Sequence, residues 1–291
     1  MEFTAATLAS FGIGLLKVLV FLGFLVALWK ILNLVTRSFD DHAEIFERGN
    51  WGYLIQRLGI TAAQAAGMVP LLGVVDRHHW SDLGWLAVGG SWVALLLLVA
   101  HPVIDRTVAL AARKVEAARE DDIALSMVKA TFYLAFGFVV NGSMTGSAPN
   151  WGTAAASVVV FTILGAVLLV GGYLLLDAVS RISLRKGVAQ GRLAPSFEAA
   201  GVLIALGLII RNAIAGDFTS WGAALSGFAF TAVAALVVVW ATRWVFDAVM
   251  LTGSTIREVH ESNHVIAAAM LAAFLPLVAL PVTAVVGASL G

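Results

Sequence analysis

The stretch 151–217 constrains this chain most, because two apolar runs there flank a short basic segment. The first run extends from Trp151 to Leu176, and the second ends at Arg211. A helix needs about 20 apolar residues to cross a hydrocarbon core about 30 Å thick, and each run approaches that length. The stretch therefore predicts a membrane hairpin, in which one helix crosses the bilayer, a basic turn follows, and a second helix returns.

The same arrangement recurs along the chain. Trp80, Trp151 and Trp221 precede successive apolar runs and are 71 and 70 residues apart. The residues at which such runs end are Asn33, Asp105, Asp177 and Asp247. A fixed period of this kind indicates an internal repeat. We therefore predict a single membrane domain, 1–291, composed of four repeats at approximately 9–78, 79–149, 150–219 and 220–291.

Composition supports a membrane location for these helices. The chain is 60% hydrophobic and 12% charged, whereas a soluble domain is about 25% charged. The predicted fold class is all-α: a polytopic membrane protein with eight transmembrane helices arranged as four parallel two-helix repeats. The predicted helices are 9–35, 53–75, 82–104, 123–142, 151–176, 195–215, 221–246 and 263–289. Parallel repeats are related by an axis along the membrane normal, so a pseudo-fourfold ring and two pseudo-twofold pairs are both compatible with the sequence.

Basic residues in the short segments predict the orientation. They concentrate in the turns inside the hairpins, whereas the connections between hairpins carry only Arg77. Because basic loops remain cytoplasmic, we expect these turns in the cytoplasm and both termini on the outer side. The turns concerned are 36–52, 105–122, 177–194 and 247–262. Within the spans, Gly14, Gly171 and Gly172 are expected to permit close helix approach.

Several functional classes receive no support from the sequence. The net charge is zero, which gives no indication of nucleic-acid binding, and the absence of cysteine excludes disulfides and thiol chemistry. The sequence contains no phosphate loop, nucleotide fingerprint or Ser–His–Asp order. We therefore predict no enzyme activity, no catalytic residue, no cofactor and no metal. The expected partners are the lipid bilayer and, through the basic turns, anionic lipid or a cytoplasmic peripheral protein.

Ionisable residues inside apolar runs are the main candidates for a functional role. Five such residues are predicted to lie at one level of the bilayer: Arg57, Lys129, Asp105, Asp177 and Asp247. They form either a layer of acid–base pairs or, alternatively, snorkelling bases beside ordinary helix-end aspartates. Because two bases would face three acids, we hypothesise that Asp177 or Asp247 is a functional acid that binds a cation or carries a proton.

The segment His260 to His264, HESNH, matches the H-E-x-x-H pattern of zinc metallopeptidases. On one helix the two histidines would share a face, and Glu261 could act as a general base. A third protein ligand is required, and it would have to come from Asp40, His42 or Glu44. Since the segment also coincides with a repeat position, we predict no zinc, and a membrane zinc peptidase is the minor alternative.

Two segments of the chain resemble a known family. FERGNWGYLIQRLGITAAQAAGMVPLL and VHESNHVIAAAMLAAFLPLVALPV each combine a polar turn, an asparagine and a helix rich in small residues. SWGAALSGFAFTAVAALVVVWATRWVFD is similar to the family's preceding helix. Together they resemble the YjfL-like family of bacterial inner-membrane proteins, domain of unknown function 350, whose hairpin would occur four times here. The third unit, with AQGRLAPSF, lacks the matching asparagine. The resemblance implies a bacterial inner-membrane location and no established activity.

Two functions from different classes remain open. The first is a conduit for small ions or polar solutes at the interface of the repeats, lined by intramembrane charges. The second is a non-transporting envelope scaffold whose basic turns bind anionic lipid or a peripheral partner. A conduit requires polar side chains that face a common interior, whereas a scaffold requires them in the turns, facing outward.

Overall fold

The computed structural model describes residues 5–35, 41–73, 80–112, 122–180, 183–251 and 253–290, and their regular structure is helical throughout. The helices are α1 (Ala5–Val35), α2 (Trp51–Gly73), α3 (Trp80–Ala112), α4 (Ile123–Ser143), α5 (Trp151–Val179), α6 (Leu184–Ala189), α7 (Leu193–Ile214), α8 (Trp221–Val245), α9 (Ile256–Glu261) and α10 (Val265–Leu290). Two π-helical segments, Ala43–Glu47 and Phe246–Met250, precede α2 and follow α8.

Each helix predicted from the sequence is present, and the two short helices α6 and α9 lie inside turns. Side chains at the helix starts explain several boundaries. Asn150 and Ser220 accept backbone N–H bonds at the starts of α5 and α8. Thr255 and Glu258 form a reciprocal capping box on α9. α3 continues to Ala112, beyond its predicted end, because residues 105–112 contain no glycine or proline to stop it.

Six helices of the described chain are long and apolar enough to cross a membrane. These segments are Phe11–Leu34, Trp80–Thr107, Ile123–Ser143, Trp151–Val179, Leu193–Ile214 and Trp221–Met250. The protein is therefore an all-helical, polytopic membrane protein. The other two long helices are less uniformly apolar or shorter: α2 contains Arg57 and Gln64, and the described apolar part of α10 is Val265–Pro281.

α2, α4, α7 and α10 form a row of inner helices, in that order. Small residues bring their backbones together: a Cβ added to Gly59 would lie 2.4 Å from Cα of Ala130, and one added to Gly201 would lie 2.5 Å from Cα of Ala272. Neighbouring helices thus meet in register and run parallel. The row differs from both arrangements that the sequence leaves open, because α4 packs on α7 as closely as on α2, and α2 and α10, among the described residues, do not pack extensively together.

The other long helices, α1, α3, α5 and α8, flank this row. α3, α5 and α8 each contact two inner helices, and α1 packs on α2 and α3. Their outward side chains are apolar and more than half exposed; examples are Leu19, Ile163, Val167, Val233 and Val237. Such a surface is stable against hydrocarbon and unstable in water, so the flanking helices provide the lipid contact.

The bundle has two ends that differ in character. The turn end holds the described turn residues 41–50, 183–192 and 253–264, and the loop end holds the connections 144–150 and 215–220. At the loop end, the N–H and the hydroxyl of Ser147 donate to Oδ1 of Asp217 at 2.8 and 2.7 Å. Gly146, with φ +116°, allows its loop to approach Gly216, where a side chain would collide with the carbonyl oxygen.

The glycines that allow close approach are not all the expected ones. A Cβ added to Gly14 or Gly171 would meet open space, whereas one added to Gly172 would touch the side chains of Leu206 and Leu236. Gly14 and Gly171 lie on flanking helices and face away from the row. The closest approaches between helix backbones are instead made by glycines of the inner helices, which were not predicted from the sequence.

Replacement by alanine, which adds one methyl group, should affect stability differently at the two kinds of glycine. Gly201→Ala forces Cβ into the α10 backbone, and we expect it to destabilise the fold by about 1–3 kcal/mol through overpacking. Gly171→Ala faces open space and should leave stability unchanged or slightly raised, since alanine favours helices. Thermal unfolding of the purified variants in one detergent measures both. Equal melting temperatures for Gly201→Ala and wild type would contradict the backbone contact.

Candidate functional site

Arg57 is buried at the turn end and is surrounded by polar partners. Its Nε donates to Oδ1 of Asp41 at 3.1 Å, and its Nη2 donates to Oδ1 of Asn33 at 2.9 Å. The Tyr53 hydroxyl bonds both Asp41 and the guanidinium, whose carbon lies 4.8 Å from the tyrosine ring centroid. Arg57 therefore points inward, and its carboxylate comes from the turn at Asp41.

Lys129 and Asp105 form a pair between α4 and α3, with Nζ 2.9 Å from Oδ1. The other carboxylate oxygen of Asp105 lies 3.4 Å from Nε2 of His101. Nδ1 of His101 in turn contacts the hydroxyl of Tyr133, which is fully buried. Hydroxyl, imidazole, carboxylate and ammonium groups thus follow one another in a continuous line. We call Tyr133, His101, Asp105 and Lys129 the histidine relay.

The first two hairpins place their bases in the same way. Arg57 binds Asn33, and Lys129 binds Asp105; the two bases are 72 residues apart, as are the two partners. Gln56, beside Arg57, also hydrogen-bonds the Tyr133 hydroxyl. The polar groups around Arg57 and the histidine relay are therefore neighbours across the contact between α2 and α4.

Asp177 and Asp247 have a different environment from Asp105. Oδ1 of Asp177 accepts the backbone N–H of Arg185 at 3.1 Å, and the Ser183 hydroxyl lies 3.3 Å away. Oδ1 of Asp247 accepts the backbone N–H of Ile256 at 2.6 Å. Both carboxylates thus tie the end of a long helix to the start of the short helix that follows. That either is a functional acid stays a prediction.

The most deeply buried ionic group is Glu198 of α7, with no exposed surface. Its Oε1 lies 2.5 Å from Nε of Arg243 on α8, and its Oε2 lies 2.6 Å from Nε2 of His260 on α9. Arg243 also donates to the Ser180 hydroxyl at 2.7 Å. We call Glu198, Arg243 and His260 the buried triad. It joins α7, which supplies the acid, to α8 and α9, which supply the arginine and the histidine.

Further bonds at the turn end link the start of α7 to residues 260–263. The Arg192 guanidinium donates to the carbonyl oxygens of His260 and Glu261 at 3.2 and 3.3 Å. Oδ1 of Asn263 accepts the backbone N–H of Ala194 at 3.0 Å, so this asparagine supports the start of α7 rather than of its own helix. The start of α7 is consequently linked to α9 and to the segment before α10 at the turn end.

Residues 150–286, from the start of α5 into α10, match the family described as Domain of Unknown Function (DUF350). We call the matched residues, 150–286, the DUF350 domain. The match confirms the family that the sequence resembles. No curated protein and no solved structure matches the chain. The number of hairpin units and the YjfL-like name stay predictions. The buried triad lies entirely within the DUF350 domain.

The HESNH segment of the DUF350 domain does not form one helix. α9 ends at Glu261, Asn263 has φ 51°, and α10 begins at Val265. His260 points into the protein towards Glu198, whereas His264 is exposed and accepts the N–H of Ala267 at 3.3 Å. The two histidines therefore lack the shared helix face that H-E-x-x-H chemistry requires.

The proposed third zinc ligands have other surroundings. Glu44 bonds Arg48 and Asn50, and exposed His42 lies 3.5 Å from Glu47. Asp40 lies outside the described residues. Among the described residues, no group of three or more His, Asp or Glu side chains is placed to hold a metal.

Polar groups also occur farther from the turn end, on α1, α2 and α3. Buried Lys17 lies 2.7 Å from Oδ2 of Asp82, near the start of α3. Between the two ends, fully buried Gln64 donates to the carbonyl oxygen of Gly90 at 3.0 Å. Its Oε1 is buried and accepts no hydrogen bond from the described residues. That oxygen is a polar site in the middle of the bundle.

Glu198, Arg243, His101 and Tyr133 were not predicted from the sequence. A signal for three of them was available: Glu198 lies inside the predicted helix 195–215, Arg243 inside 221–246 and His101 inside 82–104. The rule applied to Arg57 and Lys129, that an ionisable residue inside a span needs a partner, applies to all three. The pairing of Glu198 with Arg243 could not be predicted, because it joins helices of two different predicted repeats.

Removing the acid of the buried triad tests whether these groups depend on each other. Glu198→Leu leaves Arg243 and His260 buried without their carboxylate, and we expect a loss of about 3–5 kcal/mol. Adding Arg243→Met and His260→Leu removes the two polar groups left without a partner and should recover most of that loss. Unfolding by heat or by denaturing detergent, in matched micelles, measures all the variants.

Arg257→Met is the matched control. Arg257 pairs with Glu261 at 2.7 Å, but both side chains are more than half exposed, so we expect no measurable change. The triad would be refuted if Glu198→Leu alone unfolded like wild type, or if the triple variant were no more stable than the single one.

Proposed function

We propose that the protein is a bacterial inner-membrane protein with eight spans, in four parallel hairpins, and with its turn end in the cytoplasm. The parallel row supports eight spans, because α2 and α10 run beside α4 and α7 in register. The spacing of the contacts supports the repeat, since Gly59 meets Ala130 and Gly201 meets Ala272, each 71 residues farther along the chain. The basic turns support the orientation.

Single cysteines test the orientation directly, because the chain has none of its own. Gln190→Cys lies at the turn end and Thr219→Cys at the loop end, and both positions are exposed. We expect an impermeant thiol reagent, added to intact cells, to label position 219 and not position 190. Permeabilised cells provide the control in which both are labelled. Labelling of position 190 alone in intact cells would reverse the proposed orientation.

Within this frame, we propose that the function is proton conduction through the first two hairpins. The inner helices touch at backbone level, which leaves no wide aqueous axis among the described residues of the row. Protons pass along hydrogen-bonded side chains and single waters and do not need such an axis. The close packing thus favours protons among the small ions that a conduit could carry.

The histidine relay is the observation that carries this proposal. A neutral His101 donates from Nε2 to Asp105 and accepts from the Tyr133 hydroxyl at Nδ1; a protonated ring donates from both nitrogens. Histidine changes charge near neutral pH more readily than the other side chains. His101 therefore sits where a proton can be taken up beside Asp105 and passed towards Tyr133.

Polar groups continue the path towards the loop end. Gln64 lies seven residues beyond Arg57 on α2, about 10 Å along the axis at 1.5 Å per residue. Gln64 bonds the carbonyl oxygen of Gly90 on α3. Asp82 lies eight residues before Gly90, which is about 12 Å closer to the loop end. Water must bridge these steps, and the buried Oε1 of Gln64 offers it an acceptor. Lys17 and Asp82 then complete the path.

Proton flux into liposomes tests the proposal. Purified protein is reconstituted with an enclosed pH dye, and a potassium gradient with valinomycin sets the membrane potential. We expect faster acidification than in empty liposomes. His101→Gln retains hydrogen bonding but removes the titrating ring, and should lower the flux by about tenfold or more.

His42→Gln is the matched control, because His42 lies at the turn end with an exposed side chain. It should conduct like wild type. Each variant must elute as a single folded species before flux is compared. Wild-type flux equal to that of empty liposomes would overturn proton conduction and favour the envelope-scaffold alternative. Equal flux in His101→Gln and wild type would exclude the histidine relay from the path.

A further inference from the structure

A cavity of about 1020 Å³ lies at the loop end, between α5 and α8 and against the end of α7. The connections 144–150 and 215–220 contribute to its wall. Its volume suits a small organic molecule. The cavity lies at the opposite end of the bundle from the histidine relay and the buried triad, and so belongs to neither.

Hydroxyl groups are the most frequent polar side chains of the cavity wall. Six lining hydroxyl groups donate their protons to acceptors of the protein itself: Ser143, Thr145, Ser147, Ser157, Ser226 and Thr231. The Ser143 oxygen also accepts from the Thr162 hydroxyl at 2.9 Å, and each of the six oxygens keeps at least one lone pair. No lysine, arginine or histidine is among the described residues that line the cavity.

Asp217 adds a negative charge to this wall. Both Ser147 bonds go to its Oδ1, so Oδ2 keeps its lone pairs. The Ser147 hydroxyl and then its backbone N–H lower the pKa of Asp217 below its ordinary value, because both bonds favour the ionised form. The carboxylate therefore remains charged at neutral and mildly acidic pH.

The apolar part of the wall is rich in aromatic rings. Phe161 and Phe228, with centroids 6.0 Å apart, line the cavity together with Phe218 and Phe230. The faces of aromatic rings attract ammonium groups within about 6 Å. Apolar surface, aromatic rings, acceptor oxygens and one carboxylate together complement a cation that carries an apolar body.

We infer that this cavity is a binding site for a small organic ammonium compound. Aromatic rings and hydroxyl oxygens would surround the ammonium group beside Asp217, and the apolar body would lie against α7 between α5 and α8. A neutral molecule of the same shape would gain only the apolar contact. The charge of the ligand is therefore the property that the cavity selects.

Calorimetric titration of the full chain in a non-ionic maltoside tests this. The probe is benzyltrimethylammonium, and its comparison is neopentylbenzene, which has the same shape without the charge. We expect saturable binding of the cation and at least about tenfold weaker binding of the neutral compound. Asp217→Asn should weaken cation binding by a similar factor, provided that it remains folded.

A second variant fills the cavity with a larger side chain. Cβ atoms added to Gly227 and Gly222 both meet open space, but only Gly227 lines the cavity. Gly227→Leu should therefore abolish cation binding, and Gly222→Leu on the same helix should leave it unchanged. Equal affinity for the charged and neutral probes, or unaltered cation binding by Gly227→Leu, would overturn the site.

Discussion

Contact between the backbones of neighbouring inner helices is the interaction on which the rest of the structure depends. Lipid tails are as apolar as leucine, so helices in a bilayer associate through close packing rather than through the hydrophobic effect. Small residues such as Gly59, Gly137, Gly201 and Gly207 let α2, α4, α7 and α10 approach until their backbones touch. The row then fixes the level of each side chain and places the inward polar groups of successive hairpins side by side.

Charge pairing follows from this packing. An unpaired charge in the interior of a bilayer is costly, so each inward charge needs a partner at its own level. Lys129 finds Asp105 within its hairpin, whereas Glu198 finds Arg243 and His260 across the contact between two hairpins. The second arrangement binds the hairpins of the DUF350 domain together; the first builds a line of titratable groups.

Much of the fold could be predicted from the sequence, because helices in a membrane are specified locally. Apolar runs of spanning length, bounded by Trp, Asn and Asp residues, fixed the positions of the long helices, such as Trp151–Val179. Contacts between hairpins were less accessible. Arg57 binds Asp41, which lies in a turn that the sequence indicates is solvated. Asn263 accepts the backbone N–H of Ala194, so it stabilises the start of α7 rather than of α10. These partners depend on which helices are neighbours, and the sequence left a ring and separate pairs equally open.

The distance between the two ends of the row tests its arrangement most directly. Trp51 at the start of α2 and Ile266 at the start of α10 are both exposed and lie at the same end. Spin labels on cysteines at these positions can be measured by double electron–electron resonance in lipid nanodiscs. Helix axes about 8–10 Å apart predict a distance of about 25–30 Å across three contacts in a row. A single distance below about 20 Å would instead indicate a closed ring and contradict the row.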